Sequence, residues 1–129
     1  MIGIFDSGFG GLSILKEILK EPALARYDFV YFGDTARAPY GNRTPEVIYN
    51  WTRESVERLF QDGCELVILA CFTASAVALR RLQQEWLPKH WPNKRILGVL
   101  IPLAEEAAHI SSFGRVGILG TRATVQSGA

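Results

Sequence analysis

The sequence holds little that would mark it for a membrane, for nucleic acid or for a metal. It carries two cysteines, two histidines and one methionine in 129 residues. Charge of either sign is nearly cancelled, 14 Lys and Arg against 13 Asp and Glu, for a formal net charge of +1. A phosphate-binding surface normally shows as a basic excess, so the balance argues against a nucleic-acid partner. The one basic cluster, "KHWPNKR" from Lys89 to Arg95, has the composition of a surface linker. No apolar run approaches the roughly 20 residues that cross a bilayer. The first residues, "MIGIF", show no basic region or cleavage signal. A cytoplasmic protein is expected.

The scarce residues are informative by position. Cys64 and Cys71 sit at opposite ends of one apparent strand, on the order of 20 Å apart at roughly 3.3 Å per residue, too far to bridge. Two free thiols suit a reducing compartment. His90 and His109 have no ligand spacing from a cysteine or from each other, and read as surface or packing residues. Lys16, Lys20, Lys89 and Lys94 fall on a helix face or in the linker, which leaves pyridoxal phosphate without a site lysine. Nothing calls for a cofactor.

What is present is an apolar chain, 48% hydrophobic, cut into short runs. Five read as strands: Ile2 to Phe5, Phe29 to Gly33, Leu66 to Ala70, Ile96 to Leu100 and Arg115 to Leu119. They are continuous rather than alternating, which implies burial on both faces. Helices are expected between them: Leu12 to Leu19, closed by Pro22; a long one capped by Thr44, with Pro45 at its first position and Gly63 after it; Phe72 to Trp86; and Ala104 to Ile110. A fifth should begin in "TRATVQSGA". Strands alternating with helices predict an α/β fold, a parallel sheet with helices on both faces in flavodoxin-like layers. The length alone argues for one domain.

In open α/β sheets ligands bind beyond the carboxyl ends of the strands. Four of those loops carry chemistry: "DSGFGG" (6–11), "DTARAPYGNR" (34–43), "CFTAS" (71–75) and "GTRAT" (120–124). Gly8 and Gly10 open a dinucleotide-type fingerprint with Asp34 at the next strand end, but Ser13 stands where a third glycine or alanine belongs. A tight strand-to-helix turn explains the glycines equally well. Cys71 is the sharper feature. A helix beginning just after it would favour the thiolate through unpaired N–H groups and the helix dipole, making it a nucleophile or base. The alternative is a small buried apolar residue. Asp6 either serves that thiol or caps the first helix. Tyr40 and Gly41 offer a hydroxyl and an N–H to a carboxylate, or simply shape a turn.

Taken together, "IGIFDSGFGGLSIL", "YFGDTARAPYGNR", "LVILACFTASAVAL", "ILGVLIP" and "GRVGILGTRATVQSG" resemble the glutamate racemases of the aspartate/glutamate racemase superfamily, in that family's order and spacing. The resemblance replaces the dinucleotide reading with an amino-acid substrate. It implies a cofactor-independent isomerase in which one cysteine removes the α-proton of glutamate and a second returns a proton to the opposite face, supplying D-glutamate for peptidoglycan. Carried over by motif, Cys71 is the first base and Asp6 assists it. Asp6, Ser7, Tyr40, Gly41, Phe72, Thr73, Thr121 and Thr124 contact the substrate. The family dimerises, and an unpaired sheet edge or apolar face here would invite self-association.

Two departures stand out. The family pattern is Cys-Asn-Thr, whereas Phe72 puts a ring where an amide would donate and accept hydrogen bonds. Losing that partner would cost about 1–3 kcal/mol. The second cysteine of the family, in a Cys-Thr-His motif, has no counterpart. The resemblance therefore implies a first α/β domain over 1–92 lacking its closing segment, an incomplete second domain from 93 to 129, and little or no racemisation by the chain alone. A racemase for aspartate and a non-catalytic amino-acid-binding module are the competing expectations.

Overall fold

The computed structural model describes all 129 residues. Four parallel strands form one sheet in the order β2-β1-β3-β4: β1 is Ile2–Asp6, β2 Phe29–Gly33, β3 Leu66–Leu69 and β4 Arg95–Gly98. β1 lies between β2 and β3, with Phe5 aligned on Phe32 to one side and Leu69 to the other. Every residue of β1 is buried, as its unbroken apolar run predicts for a central parallel strand.

The period-2 alternation of a strand divides β1 between two cores. Ile2 and Ile4 face α1 (Gly11–Ile18), which contributes Ile14, Leu15 and Ile18. Phe5 faces the larger core built by α2 (Pro45–Gln61) and α3 (Phe72–Arg81). Gly3 makes this side close: a Cβ there would lie 3.1 Å from Cys64 Sγ and 3.2 Å from Leu59. α2 starts as expected, with Thr44 Oγ1 accepting the Val47 N–H and Pro45 in the first turn. Gly63 ends it at φ +97°, a conformation that glycine adopts without a Cβ penalty.

Several expected elements differ. Pro22 opens a single 3₁₀ turn, Pro22–Leu24, instead of closing α1. The helix expected through Trp86 becomes α3, then a π turn over Leu82–Trp86, then α4 (Leu87–His90). The wider turn bonds the Leu87 N–H to the Leu82 carbonyl, and Pro88 then sits in a first turn where no N–H is needed. Part of the expected linker is thus helical. His90 packs on Trp86 and its Nδ1 lies 2.9 Å from the Trp86 carbonyl oxygen. α5 begins at Leu100, four residues early, with Pro102 in its first turn, and runs to Ile110. α6 is Arg122–Gln126.

The fifth strand is the main correction. Residues 115–119 form no strand, and Val116, Ile118 and Leu119 are exposed. A strand exists only where its N–H and C=O groups find a ladder, and no strand lies beside this run. β4, which follows the expected boundary at residue 92, pairs with β3 and lies in the same sheet as β1.

Candidate active site

The order 2-1-3-4 reverses between β1 and β3, and their carboxyl ends meet at this switch point. The Phe5 carbonyl accepts N–H groups from both Ala70 (2.8 Å) and Cys71 (3.3 Å), which fixes the end of β3 against the end of β1. Asp6, Ser7 and Cys71 are brought together there.

Cys71 caps α3, as the sequence predicted: its Sγ accepts the Ala74 N–H at 3.5 Å and lies 3.3 Å from Ser7 Oγ. The residue keeps 6% of its surface exposed. Asp6 does not cap α1, whose N-terminal flank is Gly10 with no side-chain cap. Its Oδ1 accepts the Gly8 N–H at 2.7 Å, turning the carboxyl back over its own loop. Burial pushes the Asp6 carboxyl up from its ordinary range, opposed by hydrogen bonds from the Gly8 and Gly11 N–H groups. Gly11 lets α1 start this close to the strand ends: a Cβ there would sit 2.9 Å from both Ala70 and Asp6.

Thr73, in the first turn of α3, belongs to a cluster of hydroxyls. Thr73 Oγ1 is 2.9 Å from Thr121 Oγ1, which is 2.9 Å from Thr124 Oγ1, and Thr124 closes the ring to Thr73 at 3.4 Å. Thr121 also caps α6 through the Thr124 N–H. Gly41 is the hinge of this assembly. Its carbonyl accepts the Ala123 N–H at 3.3 Å, and a Cβ on it would lie 2.6 Å from Thr121.

Tyr40 departs from expectation. Its ring is buried and its hydroxyl donates to Asp34, so it is not offered to a substrate carboxylate. Burial and the adjacent Asp34 carboxylate push that phenol far above its usual value, keeping it a donor. The Asp34 carboxylate also accepts from Arg37 Nε at 2.6 Å, and Arg37 reaches Glu54 at 2.6 Å while lying over the Trp51 ring. Sequence reading singled out Asp34 only as a ribose acid and missed Arg37 and Glu54. The i,i+3 spacing of Asp34 and Arg37 was the available signal, whereas Glu54 arrives from α2 and leaves none. Phe72 is the first residue of α3, with 39% of its surface exposed. Cys64 is fully buried at the other end of β3, its thiol pushed up by burial, and takes no part in the site.

This arrangement offers a thiol, a neighbouring carboxyl and hydroxyl, and a group of hydroxyl donors joined to the same helix through Thr73. Such a set can move a proton at a carbon next to a carboxylate.

No family model matches the sequence. A glutamate racemase from Ruegeria pomeroyi is 54% identical over 104 residues, 81% of this chain and 37% of the relative. The structure of glutamate racemase from Aquifex pyrophilus superposes with a TM-score of 0.87 at 43% identity, covering 98% of this chain and 47% of that one. Glutamate racemase from Francisella tularensis in complex with D-glutamate gives a TM-score of 0.78 at 30% identity, covering 99% and 45%. The chain spans less than half the length of each. In sequence and in fold alike, the chain belongs to the glutamate racemase family.

Proposed function

We propose that this chain carries one half of a cofactor-independent glutamate racemase site, with Cys71 as the base on one face of the substrate. The observation that carries this reading is the Ser7–Cys71 contact at the start of α3, with Thr73 in the first turn of the same helix bonded to the Thr121 and Thr124 hydroxyls. The Cys71 thiolate takes the α-proton, forming S–H as the C–H bond breaks, and the electron pair moves into the adjacent carboxylate. The hydroxyl cluster and the N–H groups of Tyr40 and Gly41 hold that carboxylate as its charge grows. Asp6 and Ser7 accept the ammonium group and keep the thiolate oriented. A proton delivered to the opposite face completes inversion, and neither Cys71 nor the buried Cys64 can supply it.

The chain past β4 is read as the start of a second α/β unit, a little beyond the boundary expected after residue 92, because β4 pairs with β3. α5 buries none of its residues and 115–119 has no cover, which fits a unit awaiting the rest of its sheet. D-glutamate for peptidoglycan, made in the cytoplasm, is the role this activity would serve.

Phe72 favours a second reading: with a ring in place of the family amide, the site takes another acidic amino acid such as aspartate, or binds without exchange. Incubation with L- and D-glutamate in deuterated water, followed by NMR, separates the readings. Loss of the α-proton signal without inversion, abolished by Cys71→Ser, is the expected result. Exchange of aspartate alone would favour the second reading. No exchange with either acid would overturn the catalytic one, and Phe72→Asn would then show whether the ring is responsible.

A further inference from the structure

Behind the hydroxyl cluster, on the far side of Gly41, a cavity of about 270 Å³ lies between the start of α2, the first turns of α3, and α6. Its only charged side chains are Arg43 and Arg122. Like most arginines of the chain, neither forms an ion pair, and these two share one cavity. The two come from opposite parts of the chain. Arg43 ends the 34–43 loop and is held over the Trp51 ring, 5.5 Å from its centroid. Arg122 opens α6. Asn42 and Gln126 add amide groups to the same wall.

Both arginines are solvent-exposed where they line the cavity, and two cations on one wall favour an anion beside them. Each presents a planar fork that matches the oxygens of a carboxylate or phosphate. Stacking on Trp51 orients one fork in advance, which lowers the ordering cost of binding. The volume suits a small oxyanion, from phosphate to diphosphate in size.

We infer that the Arg43–Arg122 cavity is a binding site for a small oxyanion, which ties the 34–43 loop to α6. Its consequence follows from what α6 carries. The Ala123 N–H to Gly41 carbonyl bond and the Thr121–Thr73 pair join this segment to the 34–43 loop and to α3. An anion held by both arginines adds a charged bridge across the same seam and keeps Thr121 and Thr124 in the hydroxyl cluster. Occupancy would therefore tune the candidate active site without entering it.

The test titrates the whole chain with inorganic phosphate, diphosphate and succinate at constant ionic strength, following the Ala123 amide and the arginine Nε–H signals by NMR. Saturable shifts are expected. Arg43→Gln and Arg122→Gln should each weaken binding about tenfold, and the double variant should abolish it. Arg80→Gln, which removes another exposed arginine without an ion pair, should change nothing. Phosphate binding ahead of succinate would assign the site to phosphate groups, and the reverse to carboxylates; either upholds it. Non-saturable shifts matching a sodium chloride control would overturn it, as would equal affinities in the double variant and the parent. Neither result depends on whether the chain exchanges the α-proton of glutamate.

Discussion

Residues 1–98 and residues 99–129 are similarly apolar to the eye and behave oppositely in the structure. The first stretch contains every buried residue but one, and the second buries Ala123 alone. Ile4, Phe5 and Leu69 are sealed, while Ile118 and Leu119 are 78% and 103% exposed. The runs "IGIF" and "VGIL" are close in composition, so composition cannot be the cause. What differs is the partner: β1 has a strand on each side and a helix on each face, and 115–119 has neither. Apolar character supplies a tendency to be covered, and topology decides whether a cover exists.

Leu69→Ala should sharpen that contrast most. Emptying a fully buried position in the sheet should cost about 2–5 kcal/mol in denaturant unfolding. Gly41→Ala comes next, because it attacks the seam between the regions. Its new methyl group would meet Thr121, and a cost of about 1–3 kcal/mol is expected from such overpacking. Faster amide exchange at Ala123 would show that α6 has lifted, and unchanged exchange would mean the seam does not depend on the glycine.

Asp6→Asn should give a smaller change, seen as a slope rather than a step. The folded state holds the Asp6 proton more tightly than the unfolded chain does. Its contribution is therefore fully present below the unfolded carboxyl value and lost as pH rises through the raised folded one. The parent should lose stability relative to Asp6→Asn across that window, as pairwise melts at stepped pH would read. Equal pH profiles would refute this. The smallest effect belongs to Leu119→Ser, within about 0.5 kcal/mol of the parent. Its signature should instead be reduced self-association in sedimentation, because it removes exposed apolar surface.

The sheet and its helices were largely legible, because buried parallel strands write their burial as unbroken apolar runs and Thr44-Pro45 writes a helix start. The position of Cys71 was legible for the same reason, at the end of such a run and before a helix. Residues 115–119 misled because the same run signals burial whether or not a partner follows. Pro22 misled because proline forbids only the interior of a helix and is at home in a first turn. The inward turn of Tyr40 was invisible. It depends on Asp34 and on the Trp51 ring 5.3 Å away, a packing relation that no local spacing records.

The ring formed by Thr73, Thr121 and Thr124 has a further consequence. Each hydroxyl has a single proton to give, and because Thr124 donates to Thr73 the triangle closes in one circulating sense, Thr124 to Thr73, Thr73 to Thr121 and Thr121 to Thr124. The cluster is therefore self-solvated, with each hydroxyl both giving and accepting one bond. On the proposed reading, a substrate carboxylate would turn these protons outward, exchanging neutral bonds for stronger charge-assisted ones. The response asks only that three hydroxyls rotate about their C–O bonds.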